Sequence, residues 1–307
     1  MYILKGKAKT LIICGLLICF YAASEAQDYY GGGGSWRKRP SQQQNQPKEK
    51  EDEGIPEPSG YISVNFGFAT PKGSFGQAFP QGNYTEAVGT GYGNYATPGD
   101  VFSFSLGIPI NHSNFGIALM FGSYDNSYDL GNYVNGLSNS SFYYNPYSNS
   151  PIIGYAAAPA QNSYSESSIL GGLFATYPIG RLSFDGRFMI GALLCGLPEQ
   201  NVYAEDADGD QLQYDVEPSN ATSFAIDVGV GARFLLAQLG RRKLCIMANV
   251  DYLYSNVSYS TQQDLYVVPN SGPNAGYQAQ LVPSPSVSGK LPIQLLNVTF
   301  GIGYQLN

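Results

Sequence analysis

From Tyr61 to the C-terminus the chain repeats one pattern eight times, a segment in which apolar and small or polar residues alternate with period two. Period two sends successive side chains to opposite faces, so each segment reads as a β-strand with one apolar face. The segments are Tyr61 to Ala69, Val101 to Ile108, Phe115 to Tyr124, Ser165 to Tyr177, Arg181 to Gly196, Thr222 to Leu235, Lys243 to Tyr259 and Leu291 to Leu306. In the first, Ile62, Val64, Phe66 and Phe68 share one face and Ser63, Asn65 and Gly67 the other. In the sixth, Phe224, Ile226, Val228, Val230 and Phe234 oppose Asp227, Gly229, Gly231 and Arg233. The fourth is apolar on both faces and leaves its parity open.

Alternation alone also fits a soluble β-sandwich, and the connections decide between the two. Strands two and three are joined by Pro109 to Asn114, four and five by Pro178 to Gly180, and six and seven by Leu236 to Arg242. The intervening connections, 70–99, 125–164, 197–221 and 260–290, are long. Short turns opposite long loops, with an even strand number, mark an outer-membrane barrel. The expected fold is therefore all-β, an eight-stranded antiparallel up-and-down transmembrane β-barrel with long extracellular loops and short periplasmic turns. It occupies 61–307, in the outer membrane, with both termini periplasmic.

What precedes the barrel reads differently. Lys5, Lys7 and Lys9 lead into an apolar run from Leu11 to Ala23, followed by Ser24-Glu25-Ala26 with small residues at the cleavage positions. Residues 1–26 are thus expected to be a signal peptide. Its removal takes three Lys and one Glu and leaves a formal charge of −9, which disfavours nucleic acid as a partner. Residues 27–60 hold a Gly run (Gly31 to Gly34), the basic Trp36-Arg37-Lys38-Arg39 and the charged Lys48 to Glu53, with almost nothing to bury. They read as a disordered periplasmic tether.

With strands and connections in hand, the chain resembles the small outer-membrane β-barrel family, the group of the OmpA transmembrane domain and the OmpX-like and OmpW-like proteins. Its Tyr/Asn/Gly-rich loops look closest to barrels of Bacteroidetes. Barrels of this kind carry a terminal assembly signal of polar, Gly, aromatic and hydrophobic residues, and Thr299, Gly301, Tyr304 and Leu306 occupy those places here. The chain departs from many proteobacterial barrels in ending on Asn307. The resemblance implies outer-membrane lipid and lipopolysaccharide as surroundings and a BAM-type machine as assembly partner. It names no surface ligand.

Several constellations are candidates for chemistry. Asp185, Arg187, Asp227, Arg233, Lys243 and Asp251 fall on the inward face of strands five to seven, as a salt-bridged plug or as a gate on a narrow ion path. His112 is the single histidine and falls in a short turn, so the usual general base of a hydrolase has no second imidazole to support it. Cys195 and Cys245 belong to opposite ends of their strands, and no disulfide is expected. Counting from Asp206, acids at Asp206, Asp208, Asp210 and Glu217 match positions 1, 3, 5 and 12 of a calcium loop. Position 6 is Gln211 where that template has Gly. Calcium is thus the one cofactor the residues suggest. The loops are rich in aromatic residues, among them Tyr124, Tyr128, Tyr133, Phe142, Tyr143, Tyr144, Tyr147 and Tyr155, as a binding surface or as rings packed on one another. The resulting expectation is a non-enzymatic barrel, a scaffold presenting surface loops for interaction or envelope integrity. The alternative is a narrow channel or transporter for small or hydrophobic molecules.

Overall fold

The structure is a computed structural model that describes residues 60–76, 95–110, 113–129, 131–132, 145, 148–157, 163–239, 242–282 and 286–306. The chain divides into a unit of residues 1–52 and a unit of residues 53–307, and every described residue belongs to the second. The expected signal peptide and tether lie outside the described residues, except for Gly60, which already pairs with Leu306.

Twelve strands are present among the described residues: β1 (Gly60–Pro71), β2 (Gly99–Pro109), β3 (Phe115–Ser127), β4 (Ile152–Ala157), β5 (Ser163–Ile179), β6 (Leu182–Leu197), β7 (Gln200–Asp206), β8 (Gln211–Val216), β9 (Ser219–Leu239), β10 (Arg242–Val268), β11 (Ala279–Val282) and β12 (Ser286–Leu306). Eight of them, β1, β2, β3, β5, β6, β9, β10 and β12, pair antiparallel in chain order, and β12 returns to β1. These eight are the eight alternating segments. Passing from Thr176 through the paired residues Asp185, Gly231, Asn249, Thr299, Gly67, Val101 and Tyr124 returns to β5 at Glu166, ten residues along the strand. Such a stagger tilts the strands about 40° from the axis, and a ring of eight has an interior only wide enough for side chains.

The alternation gives the ring its two faces. Phe66, Phe68, Phe115, Leu173, Val230 and Phe300 point outward and are 60 % exposed or more. A continuous apolar belt of this kind suits hydrocarbon and not water. Closure gives every ladder group a partner where lipid offers none. The ring is therefore a transmembrane β-barrel. The parity that β5 leaves open is resolved by its neighbours: Tyr164, Glu166, Ser168, Leu170, Phe174 and Thr176 are buried inside, while Ile169, Leu173 and Tyr177 face out. Gly180, at φ +58°, opens the tight turn into β6.

The long connections are not plain loops, which corrects the reading of 125–164, 197–221 and 260–290. β10 has 27 residues and runs to Val268, nine past the expected end at Tyr259. About 11 residues cross a bilayer at this tilt, so about 16 residues, roughly 50 Å of strand, remain beyond it. Its far end pairs with β8 and β11, β8 with β7, and β7 with β4. The result is a five-stranded antiparallel arm continuous with the barrel wall. One face of the arm buries Val202, Ala204, Leu212, Tyr214, Leu265 and Val267.

Candidate functional site

The lumen is filled by charge pairs stacked on a polar layer. On β6 and β9, Asp185 and Arg233 point inward from strands that pair Ser183 with Arg233 and Asp185 with Gly231. Arg233 Nε lies 2.7 Å from Asp185 Oδ2, and its Nη2 donates to Asp185 Oδ1 at 2.8 Å and to Thr176 Oγ1 at 2.9 Å. The guanidinium also sits 4.8 Å from the centre of the Tyr61 ring, which meets Phe174 edge-on at 5.6 Å. One level on, Arg187 Nη2 donates to Asp251 Oδ1 at 2.6 Å. A Cβ at Gly229 would collide with that Asp251 carboxylate, so the absence of a side chain on β9 is what lets the pair form. Beside these, Asn249 donates to Asn65 and Thr299, and Asn65 donates to Ser63 and Ser103.

Of the six expected lumen charges, four are thus joined in two fully buried pairs. Asp227 is buried but has no hydrogen-bond partner on either carboxyl oxygen. Lys243 does not complete the third pair: it is half-buried at the short-turn end, where its backbone partners are Gln305 and Gln238. The β10 residue across from Asp227 is Leu253, ten positions along that strand from Lys243, roughly 33 Å away. Sequence reasoning missed Glu166, which is equally buried and equally unpartnered. It sits on β5, the strand with two apolar faces, and only the positions of Ser168 and Thr176 in the same parity hinted at an inward polar set.

The four residues of the calcium template are not gathered into one site. Asp206 and Asp210 close the tip between β7 and β8, where Gly209 takes φ +81°. Asp206 Oδ1 accepts the amides of Asp208 and Asp210, and its Oδ2 accepts Asn145 and Ser148. Burial raises the Asp206 carboxyl, but these donors outweigh it and hold the group below the usual carboxylate range. Asp210 accepts the amide of Asn270, Asp208 is exposed, and Glu217 lies past the whole length of β8, roughly 20 Å from the tip. Among the described residues no three acidic, histidine or cysteine side chains converge on a metal position. The segment is a hairpin tip pinned by a turn-forming Asp.

The assembly-signal residues lie on β12. Thr299 faces the lumen, Gly301 packs against Asn65 and the Val64 carbonyl, and Tyr304 faces outward. Leu306 pairs with Gly60 and Arg242. Both cysteines are free and buried. His112 and the aromatic residues Tyr133, Phe142, Tyr143, Tyr144 and Tyr147 lie outside the described residues. Of the loop rings that are described, Tyr124 bonds to Ser168 in the lumen, and Tyr128 stacks edge-on with Tyr95 and Tyr164 at the mouth, with Phe75 beyond.

The arm contrasts with the lumen in charge. From residue 188 to 232 and from 244 to 289 there is no Lys or Arg, while Glu199, Glu205, Asp206, Asp208, Asp210, Asp215, Glu217 and Asp264 all fall there. Asp215 and Asp264 are direct cross-strand partners. Burial, then Glu199 and Asp264, push the Asp215 carboxyl above its ordinary value. A cleft of about 380 Å³ opens on the arm between Gly154, Ala156, Tyr203, Glu205 and Gln211.

Neither a protein-family model nor a curated protein matches this chain. Three solved structures are similar in arrangement. Neisserial surface protein A is 12 % identical, with a TM-score of 0.33 over 80 % of this chain and 95 % of that one. A major outer membrane protein from Thermus thermophilus is 11 % identical, with a TM-score of 0.34 over 81 % and 100 %. The outer membrane protein AlkL in DMPC bilayers is 13 % identical, with a TM-score of 0.28 over 87 % and 97 %. At these scores the likenesses carry no argument, and the barrel rests on the closed register of the chain itself.

Proposed function

We propose that the chain is a non-enzymatic outer-membrane barrel, a scaffold whose filled ring carries an acidic arm into the extracellular space for surface interaction or envelope integrity. The observation behind this reading is the course of β10, which leaves a ring locked by Arg187–Asp251 and Arg233–Asp185 and runs on into the arm, paired there between β8 and β11. The first and last barrel strands meet at the short-turn end, where Gly60 pairs with Leu306, which supports periplasmic termini. Thr299, Gly301, Tyr304 and Leu306 are then the residues offered to a BAM-type insertase, and outer-membrane lipid and lipopolysaccharide surround the belt. A narrow channel is the second reading, favoured by the unpartnered Asp227 and Glu166.

Planar-bilayer recording of the refolded mature chain, after heat-modifiable gel migration has established folding, separates the two. A folded, electrically silent barrel is expected. Reproducible openings that change in Asp227→Asn would replace the scaffold with the channel.

A further inference from the structure

The pleat of β10 carries the two faces of the barrel into the arm. Val250, Tyr252 and Tyr254 point outward from the ring, and Asp264 and Tyr266 share their parity further along the strand. Pairing extends this outer face across the sheet, from Asp264 to Asp215, from Asp215 to Asn201, and from Gln213 through Tyr203 to Ala156. The opposite face, which continues the lumen side, buries Val202, Ala204, Leu212 and Leu265. The outer face is the one left open to whatever approaches the arm.

The cleft of about 380 Å³ lies on this outer face, at its β4 side. Two small residues make the space: a Cβ at Gly154 would meet nothing within 4 Å, and Ala156 sets only a methyl group across from Tyr203. The Tyr203 side chain is left 44 % exposed. Glu205 and Gln211, both exposed, are direct cross-strand partners on the same face, with Glu205 two residues and about 7 Å along β7 from Tyr203. These groups limit the occupant. Anions are disfavoured, because 73–180, 188–232 and 244–289 hold no Lys or Arg. An apolar molecule would take Glu205 and Gln211 out of water without partners. A bare metal ion needs several oxygen ligands, and no three acidic, histidine or cysteine side chains converge among the described residues. A guanidinium or ammonium only donates and leaves the Gln211 amide donors unmet. Vicinal hydroxyls both donate and accept, so they satisfy the carboxylate and the amide together. The C–H face of the same sugar ring suits the negative π-face of tyrosine.

We infer that this cleft is a saccharide subsite, which seats a sugar unit of a neutral glycan against Tyr203 and holds its vicinal hydroxyls with Glu205 and Gln211. Its volume is near the lower end of small-molecule sites, which suits a short stretch of glycan. The inference rests on the scaffold reading in one respect, the outward position of the arm, and gives that surface its ligand class. A glycan rising from the outer leaflet beside the barrel and a free saccharide arriving from outside present the same chemistry to the cleft.

The test uses the refolded mature chain in an amine-oxide detergent, which has no sugar headgroup, displayed on beads against an array of neutral and acidic oligosaccharides. The array includes the polysaccharide released from the lipopolysaccharide of the source membrane, and heat-modifiable migration establishes that each variant is folded. Retention of at least one neutral glycan is expected. It should weaken about tenfold or more in Tyr203→Ala, be lost in Ala156→Leu, which fills the cleft, and persist in Asp215→Asn/Asp264→Asn, which lies outside it. Where Ala156→Leu does not refold, Gln211→Ala, at an exposed side chain, is expected to weaken retention in its place. Retention of the released polysaccharide makes the membrane the source of the ligand, and retention of other neutral glycans alone makes it a free saccharide. The inference is overturned by an array on which no neutral glycan is retained, by retention of acidic glycans alone, or by retention that survives both Tyr203→Ala and the cleft variant. None of these outcomes bears on the scaffold reading, which the planar-bilayer recording decides.

Discussion

The lumen and the arm are built from the same strand, β10, and treat charge in opposite ways. Inside the ring, each buried base meets a carboxylate within 2.7 Å. In the arm, acids accumulate without a single base and two of them, Asp215 and Asp264, stand directly opposite each other. The difference follows from solvent. A charge in the narrow ring must find a partner or lose its hydration uncompensated, whereas the arm stands in water and salt, which screen like charges and make an excess of acids over bases inexpensive. The strand is one covalent piece, but the physics of its two halves is separate.

The largest expected effect is in the lumen. Arg233→Ala leaves Asp185 buried without its cation and is expected to destabilise the barrel by about 3–5 kcal/mol, measured by urea unfolding in detergent. A cost below about 1 kcal/mol, the range of an exposed pair, would mean the two regions handle charge alike. Next comes the arm's dry face. Leu212→Ala, at a side chain 1 % exposed, is expected to cost about 2–5 kcal/mol of local stability. Hydrogen exchange should quicken in β7 and β8 while the ring's amides and thermal midpoint stay unchanged. A matching loss of protection in the ring would erase the separation.

A smaller effect lies at the tip. Because the Asp206 carboxyl is held below its ordinary value by its four donors, its contribution is complete above that ordinary value and falls away as pH drops through the lowered one. Proteolysis between β7 and β8 should therefore begin below about pH 4, with the ring still intact. Calcium is expected to leave this cleavage unchanged, since the Asp206 oxygens are already engaged. Protection by calcium at neutral pH would restore the metal reading. The smallest effect is Asp264→Asn, which removes a like-charge cross-strand pair and should stabilise the arm by roughly 0.2–1 kcal/mol. Slower exchange at Asp215 and Gln213 in β8 would register it.

What was legible in the chain depends on range. A dyad repeat reports which way each side chain points without any knowledge of neighbours, so the outward Phe66, Phe115 and Val230 and the inward Asp185, Arg187 and Asp227 were readable in advance. The short turns were readable for the same local reason, since Pro178 and Gly180 leave no room for anything else. The arm also left a signal that went unused. Asp208-Gly209 lies between the alternating Val202 and Ala204 and the alternating Leu212 and Tyr214, a hairpin signature. Its cluster of acids resembled a calcium loop more strongly than a turn.

By itself, then, the sequence determined eight strands, the faces of all but β5, their order and the membrane they suit, because alternation and turn chemistry act within a few residues. Only the tertiary structure decided who meets whom inside. Closing the ring with a ten-residue stagger brings Arg187 to Asp251, 64 positions away, and Arg233 back to Asp185. The same stagger strands Asp227 and Glu166 without partners and sends Lys243 to the far end. Pairing across a closed sheet is set by register around the whole circumference, which no single segment contains.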